Sequence, residues 1–123
     1  MFSIEDRAII FGNGLRHTFD DVIAEALPFN DVIVVRLENQ GWKRTNENVL
    51  AIDYKGRLVW RIKPRMYAFA ESHYVNIYNR NDTVEAYNWD GTILSLNLKT
   101  GDVVGEATVY SPGSRVPRKR QFI

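Results

Sequence analysis

The sequence predicts an all-β fold: a single-domain antiparallel β-meander of about eight or nine strands, forming two sheets or closing as a barrel or sandwich. Three observations predict it. The segment Ala51-Ile52-Asp53-Tyr54-Lys55-Gly56-Arg57-Leu58-Val59 recurs 35 residues later as Ala86-Tyr87-Asn88-Trp89-Asp90-Gly91-Thr92-Ile93-Leu94, each copy reading strand, tight turn, strand. Turn signals come about every 8 to 12 residues, the spacing of a meander. Strand-type alternation prevails along the chain, and helix-length 3.6-residue patterns are scarce.

Taken in order, Phe2 to Ile10 and Leu15 to Phe19 flank Gly12-Asn13-Gly14, whose residues tolerate the positive φ of a hairpin turn. Asp20 to Leu27 reads as a short helix of one or two turns capped by Asp20 and stopped by Pro28, because the residue before proline avoids the helical region. Asp31-Val32-Ile33-Val34-Val35-Arg36-Leu37 is β-branched and apolar on both faces, the pattern of a central strand covered on both sides. Glu38 to Asn48 is a polar loop interrupted by Trp42. Strands follow at 48–54, 57–63, 73–79, 83–89, 92–98 and 102–109. The turns at 53–56 and 88–91 start with Asp or Asn and end on glycine, which predicts positive φ at Gly56 and Gly91, and Leu98-Lys99-Thr100-Gly101 predicts it at Gly101. Asn79-Arg80-Asn81-Asp82 supplies the remaining reversal.

The stretch Ala51 to Trp60, with tryptophan four residues after the turn glycine, resembles the blade repeat of quinoprotein-type (PQQ-like) β-propellers, and Asn97 to Gly101 resembles the Thr-Gly turn of that repeat. The first copy departs from the repeat in the Asp53-to-Gly56 spacing, and Ser95 and Gly105 stand where tryptophan would recur. The runs Pro28 to Val35, Leu58 to Ile62, Tyr74 to Tyr78 and Ala86 to Gly91 also resemble small uncharacterised bacterial proteins. The resemblance implies blade-like units at 31–63 and 73–109 within a 1–110 domain, followed by a basic tail at 111–123. Two blades cannot close a ring that needs about four to eight, so the edges must curl together or meet a partner.

A chain of 123 residues buries roughly two-thirds of its unfolded surface and needs no covalent staple. It has no cysteine, which excludes a disulfide framework and suits the cytoplasm. Its start carries acids where a signal peptide would be basic, and no run reaches membrane-span length, so neither export nor a membrane is expected. The net charge of +1 is unevenly spread: residues 1–47 carry eight acids and five bases, 48–110 seven of each, and 111–123 four bases and no acid. Any polyanion-binding role therefore belongs to the tail.

No catalytic, metal or cofactor constellation emerges. Glu71-Ser72-His73 holds an acid, a nucleophile and a base, but neighbouring strand residues point to opposite faces, so Ser72 and His73 should not meet. His17 is the other candidate proton shuttle and lies in no motif. Asp20, Asp21 and Asp31 lack calcium-loop spacing and are explained as caps and turns. The glycines are dispersed along the chain and no glycine-rich phosphate-loop spacing is present. The aromatics say more. Alternation sets Val84 and Ala86 on one face of their strand and Glu85, Tyr87 and Trp89 on the other. An amphipathic aromatic face suits a protein-binding patch or a stacking platform, and equally the closure of a thin β core. The expected function is a non-enzymatic module that binds a protein or itself through strand edges and the Tyr87 and Trp89 face, as a small bacterial or phage accessory or inhibitor-type protein would. The alternative is a nucleic-acid-binding module using Arg115, Arg118, Lys119 and Arg120 with the exposed aromatics.

Overall fold

A computed structural model describes residues 1–38, 45–64 and 72–108. Among them eleven strands form three antiparallel sheets. The first holds β1 (Phe2–Glu5), β2 (Ala8–Phe11) and β3 (Arg16–Thr18). The second holds β4 (Ile23–Pro28), β5 (Val32–Leu37), β6 (Val49–Asp53) and β7 (Leu58–Arg61). The third holds β8 (Tyr74–Arg80), β9 (Thr83–Asn88), β10 (Thr92–Leu96) and β11 (Val103–Thr108). Within each sheet the spatial order follows the chain, as in a meander. A single 3₁₀ turn, Thr45–Glu47, precedes β6.

The all-β class is as the sequence predicts, and the extra strands have local causes. Phe2 to Ile10 is two strands rather than one, because Asp6 takes a left-handed φ of 55° and turns the chain back on itself. The helix expected over 20–27 is strand β4. Ala26 and Leu27 lie opposite Val35 and Val34, and a bulge between Ile23 and Glu25 adjusts the register. Pairing with the most apolar segment of the chain outweighs the helical preference of Ala, Glu and Leu. Pro28 is tolerated because β4 is an edge strand and Pro28 is its last residue. The second sheet consequently begins at Ile23, a strand ahead of the expected start at 31.

The second sheet is covered on both faces. Ile33, Val35, Leu37, Leu50 and Ile52 face the first sheet, where they pack with Ile9, Phe11 and Phe19. Val32, Val34, Val49, Ala51 and Trp60 face the third, against Tyr74, Ile77, Val84, Ala86, Leu94 and Leu96. The alternation of β5 is thus split between two cores, which is why both of its faces must be apolar.

Polar groups tie the second and third sheets where apolar contact alone would not fix their register. The buried Asn48 amide donates to Leu37 O and Tyr74 O and accepts from Tyr74 N–H, each at 2.9 Å, so the side chain acts as a length of backbone bridging two sheets. Glu25 on β4 pairs with Arg36 and also accepts the Ile77 N–H of β8 at 3.2 Å. Trp60 Nε1 donates to Leu98 O at 2.7 Å, seating the ring of β7 against the β10–β11 turn.

Candidate interaction face

Strand β9 places Val84 and Ala86 in the core between the second and third sheets, so its alternate residues Glu85 and Tyr87 emerge on the outer face of the third sheet. The register sets Tyr78 opposite Glu85 and Asn76 opposite Tyr87. Tyr78 and Tyr87 meet edge to face with ring centroids 4.8 Å apart, the geometry favoured by the aromatic quadrupole. Glu85 is only 2 % exposed. Its Oε1 accepts from Arg80 Nε at 3.0 Å and from the Tyr87 hydroxyl at a longer 3.4 Å. That carboxylate hydrogen bond and its negative charge hold the Arg80 guanidinium above its ordinary pKa. The result is an aromatic pair over a buried, partnered carboxylate, with Tyr78 45 % exposed at its edge.

Trp89 is 63 % exposed and reaches solvent for a different reason from the one its spacing predicts. Strand β9 ends at Asn88, so Trp89 belongs to the Asn88–Gly91 turn, where its N–H donates to His73 O at 2.9 Å. The turn is closed by Gly91 N–H to Asn88 O at 3.0 Å, with Gly91 at φ 92°. Gly56 and Gly101 likewise take positive φ, 77° and 75°. Gly101 is further constrained, since a Cβ there would stand 2.6 Å from the Trp60 ring.

The other aromatics divide between cores and turns. Tyr74 and Trp60 are buried, and the Tyr54 hydroxyl donates to Phe29 O at 2.6 Å beside the first core. Trp42, Tyr67, Phe69 and Tyr110 lie outside the described residues, as do Glu71 and the basic positions Arg115, Arg118, Lys119 and Arg120. Ser72 is buried, and Asn88 Nδ2 donates to its carbonyl at 3.1 Å. Burial, with a smaller contribution from the Arg36 charge, lowers the His73 pKa below the ordinary imidazole value. His17 Nδ1 lies 2.7 Å from Gly56 O and its ring leans on Phe19, a structural role linking the first sheet to the β6–β7 turn. Among the described residues no group of three or more His, Asp or Glu could hold a metal ion, and no helix is long and apolar enough to cross a membrane. What the sequence did not reveal was the Tyr78–Tyr87 contact, whose signal is the pairing register of β8 with β9 rather than any motif.

Comparison with known structures finds six matching chains, among them the crystal structure of BamB from Moraxella catarrhalis, a β-propeller protein. The two share 19 % sequence identity at a TM-score of 0.65, over 93 % of this chain and 34 % of BamB. The chain thus spans about a third of that protein, and the likeness is one of fold: three sheets stacked as successive propeller blades. A search of curated proteins gives no match. Residues 2–108 match a family described as "Domain of unknown function (DUF7957)", and the chain belongs to that family.

Proposed function

We propose that this chain is a non-enzymatic binding module that engages a protein partner, or a further copy of itself, through the outer face of its third sheet. The observation that carries this reading is the pairing of Tyr78 with Tyr87 above Glu85, with Trp89 exposed on the adjoining turn. Large rings with polar tips offer contact area at low entropic cost, and Tyr, Trp and Arg dominate interface energetics. The resemblance of Ala51 to Trp60 to the quinoprotein-type blade repeat supports the same reading, since blades in such folds are made to be packed face to face by a neighbour.

The test is capture of partners from the native host, together with light scattering for self-association, using Tyr78→Ala and Trp89→Ala singly and combined. Loss of association with an unchanged melting temperature is expected. Undiminished association in the double variant overturns the assignment to this face. A chain ending at Tyr110 retains the face and lacks Arg115, Arg118, Lys119 and Arg120, so its recognition is expected to survive. Nucleic-acid retention that disappears with those four bases would assign recognition to them instead.

A further inference from the structure

A cavity of about 400 Å³ opens between the second and third sheets, at the end where their turns gather. Its apolar lining comes from Phe29 and Val32 at the β4–β5 turn, Val59 on β7 and Leu98 at the β10–β11 turn. Acids stand around it on three separate turns: Asp31, Asp53 and Asp82. Lys99 is the one cation among the lining residues.

The carboxylates are not equivalent. Asp53 is committed to its own turn, accepting from Lys55 N–H, Arg57 N–H and Arg57 Nε, each at 2.9 Å. Among the described residues no side chain bonds to the Asp31 or Asp82 carboxylate, so these two set the charge of the opening. They come from turns of different sheets, and among the described residues no group of three or more His, Asp or Glu could hold a metal ion. Separated anions flanking an apolar floor complement separated cations joined by an apolar stem. The volume lies at the small end of small-molecule sites.

We propose that this cavity binds a linear aliphatic diamine or polyamine, its methylene chain on Val32, Val59 and Leu98 and its ammonium groups at Asp31 and Asp82. Lys99 opposes such a ligand and limits its affinity. The site is distinct from the aromatic outer face, and its occupation does not depend on that face binding anything.

Titration calorimetry at low ionic strength with 1,5-diaminopentane and with spermidine tests the proposal, with pentylamine and magnesium chloride as controls. Both polyvalent amines should bind, pentylamine should bind more weakly, and magnesium should not displace them at matched ionic strength. Asp31→Asn and Asp82→Asn should each weaken diamine binding about two- to fivefold, the size of a solvent-exposed ion pair. Lys99→Ala should tighten it by a similar factor, a gain that a damaged fold would not produce. Asparagine is tolerated at the positive φ of Asp82, 62°, so this variant keeps its turn. Absence of diamine binding, equal affinity for pentylamine, equal displacement by magnesium, or affinity unchanged in the three variants overturns the proposal. Trp89→Ala should leave diamine affinity unchanged, which separates this result from the outcome for the outer face.

Discussion

Gly101 meets two demands at once: a left-handed φ of 75° and a Trp60 ring 2.6 Å from where a Cβ would sit. Gly14 meets only the first, at φ 88° with open space around it. Gly14→Ala should therefore cost about 1 kcal/mol of left-handed strain, and Gly101→Ala about 2 to 4 kcal/mol once the displaced indole is included. Urea melts of the two variants check the ranking, and equal costs would show that the ring yields freely. Asn48 carries three hydrogen bonds on one buried amide, so Asn48→Ala should cost about 2 to 4 kcal/mol by leaving backbone groups of two sheets unpaired. Asn48→Asp keeps the shape but sets a carboxylate oxygen, which cannot donate, against the carbonyl oxygens of Leu37 and Tyr74, and should cost at least as much. The sequence places Asn48 at the end of a loop and gives no sign of this role, which arises only when Leu37 and Tyr74, 11 and 26 residues away, converge on it. His73 adds a pH dependence of definite sign. Its folded pKa lies below the ordinary value of 6.5, chiefly through burial and secondarily through the Arg36 charge. The unfolded chain therefore takes up the proton first as pH falls, so stability is full above about 6.5 and declines as pH drops toward the folded value. Melting temperatures measured from pH 7.5 to 5 should fall, and His73→Gln should flatten the profile.

Strand β4 is the element on which local sequence and tertiary structure disagree most. Ala24, Glu25, Ala26 and Leu27 are good helix formers, and the Asp20 and Pro28 punctuation is that of a helix, yet β5 offers a full row of backbone partners. The neighbouring β5 was legible because Val32 to Val35 are four consecutive β-branched apolar residues, the composition of a strand covered on both sides. The turns were legible because Gly56, Gly91 and Gly101 each follow an Asp or Asn that starts the turn three or four residues earlier. The interaction face was legible only in part: alternation turns Glu85 and Tyr87 away from the core, but Glu85 is buried there beneath its partners, Tyr78 joins them through register, and Trp89 is exposed through the turn. Once β4 is a strand, its Glu25 gains a task that a helical reading would not give it, pairing with Arg36 while accepting the Ile77 N–H from the third sheet. Glu25→Ala should cost about 2 kcal/mol, through an incompletely buried Arg36 left without its anion and an N–H without its acceptor. Denaturant titration checks this, and a neutral effect would mean that water replaces the carboxylate.

At the scale of the whole molecule the three sheets stand in a row, and the two apolar cores share only the second sheet. Such an arrangement resembles a short repeat array, in which each unit is stabilised by its neighbours and the ends are the weakest places. The first sheet is the smaller end. Its strand β1 is exposed along most of its length, and the ion pair between Glu5 and Arg16 on its outer side is long, at 3.9 Å, and solvent-exposed. Strands β5 and β6, covered on both faces, should therefore have the slowest amide exchange and β1 the fastest. Ile33 and Val34 allow the coupling to be dissected because they are adjacent in sequence, both fully buried, and face opposite cores. Ile33→Ala empties space between the first and second sheets and should accelerate exchange in β1 to β3 more than in β8 to β11. Val34→Ala should do the reverse, with the first sheet the less affected. If the two substitutions speed every amide by the same factor, the three sheets unfold as one cooperative unit, and the shared second sheet transmits a loss in either core to the whole molecule.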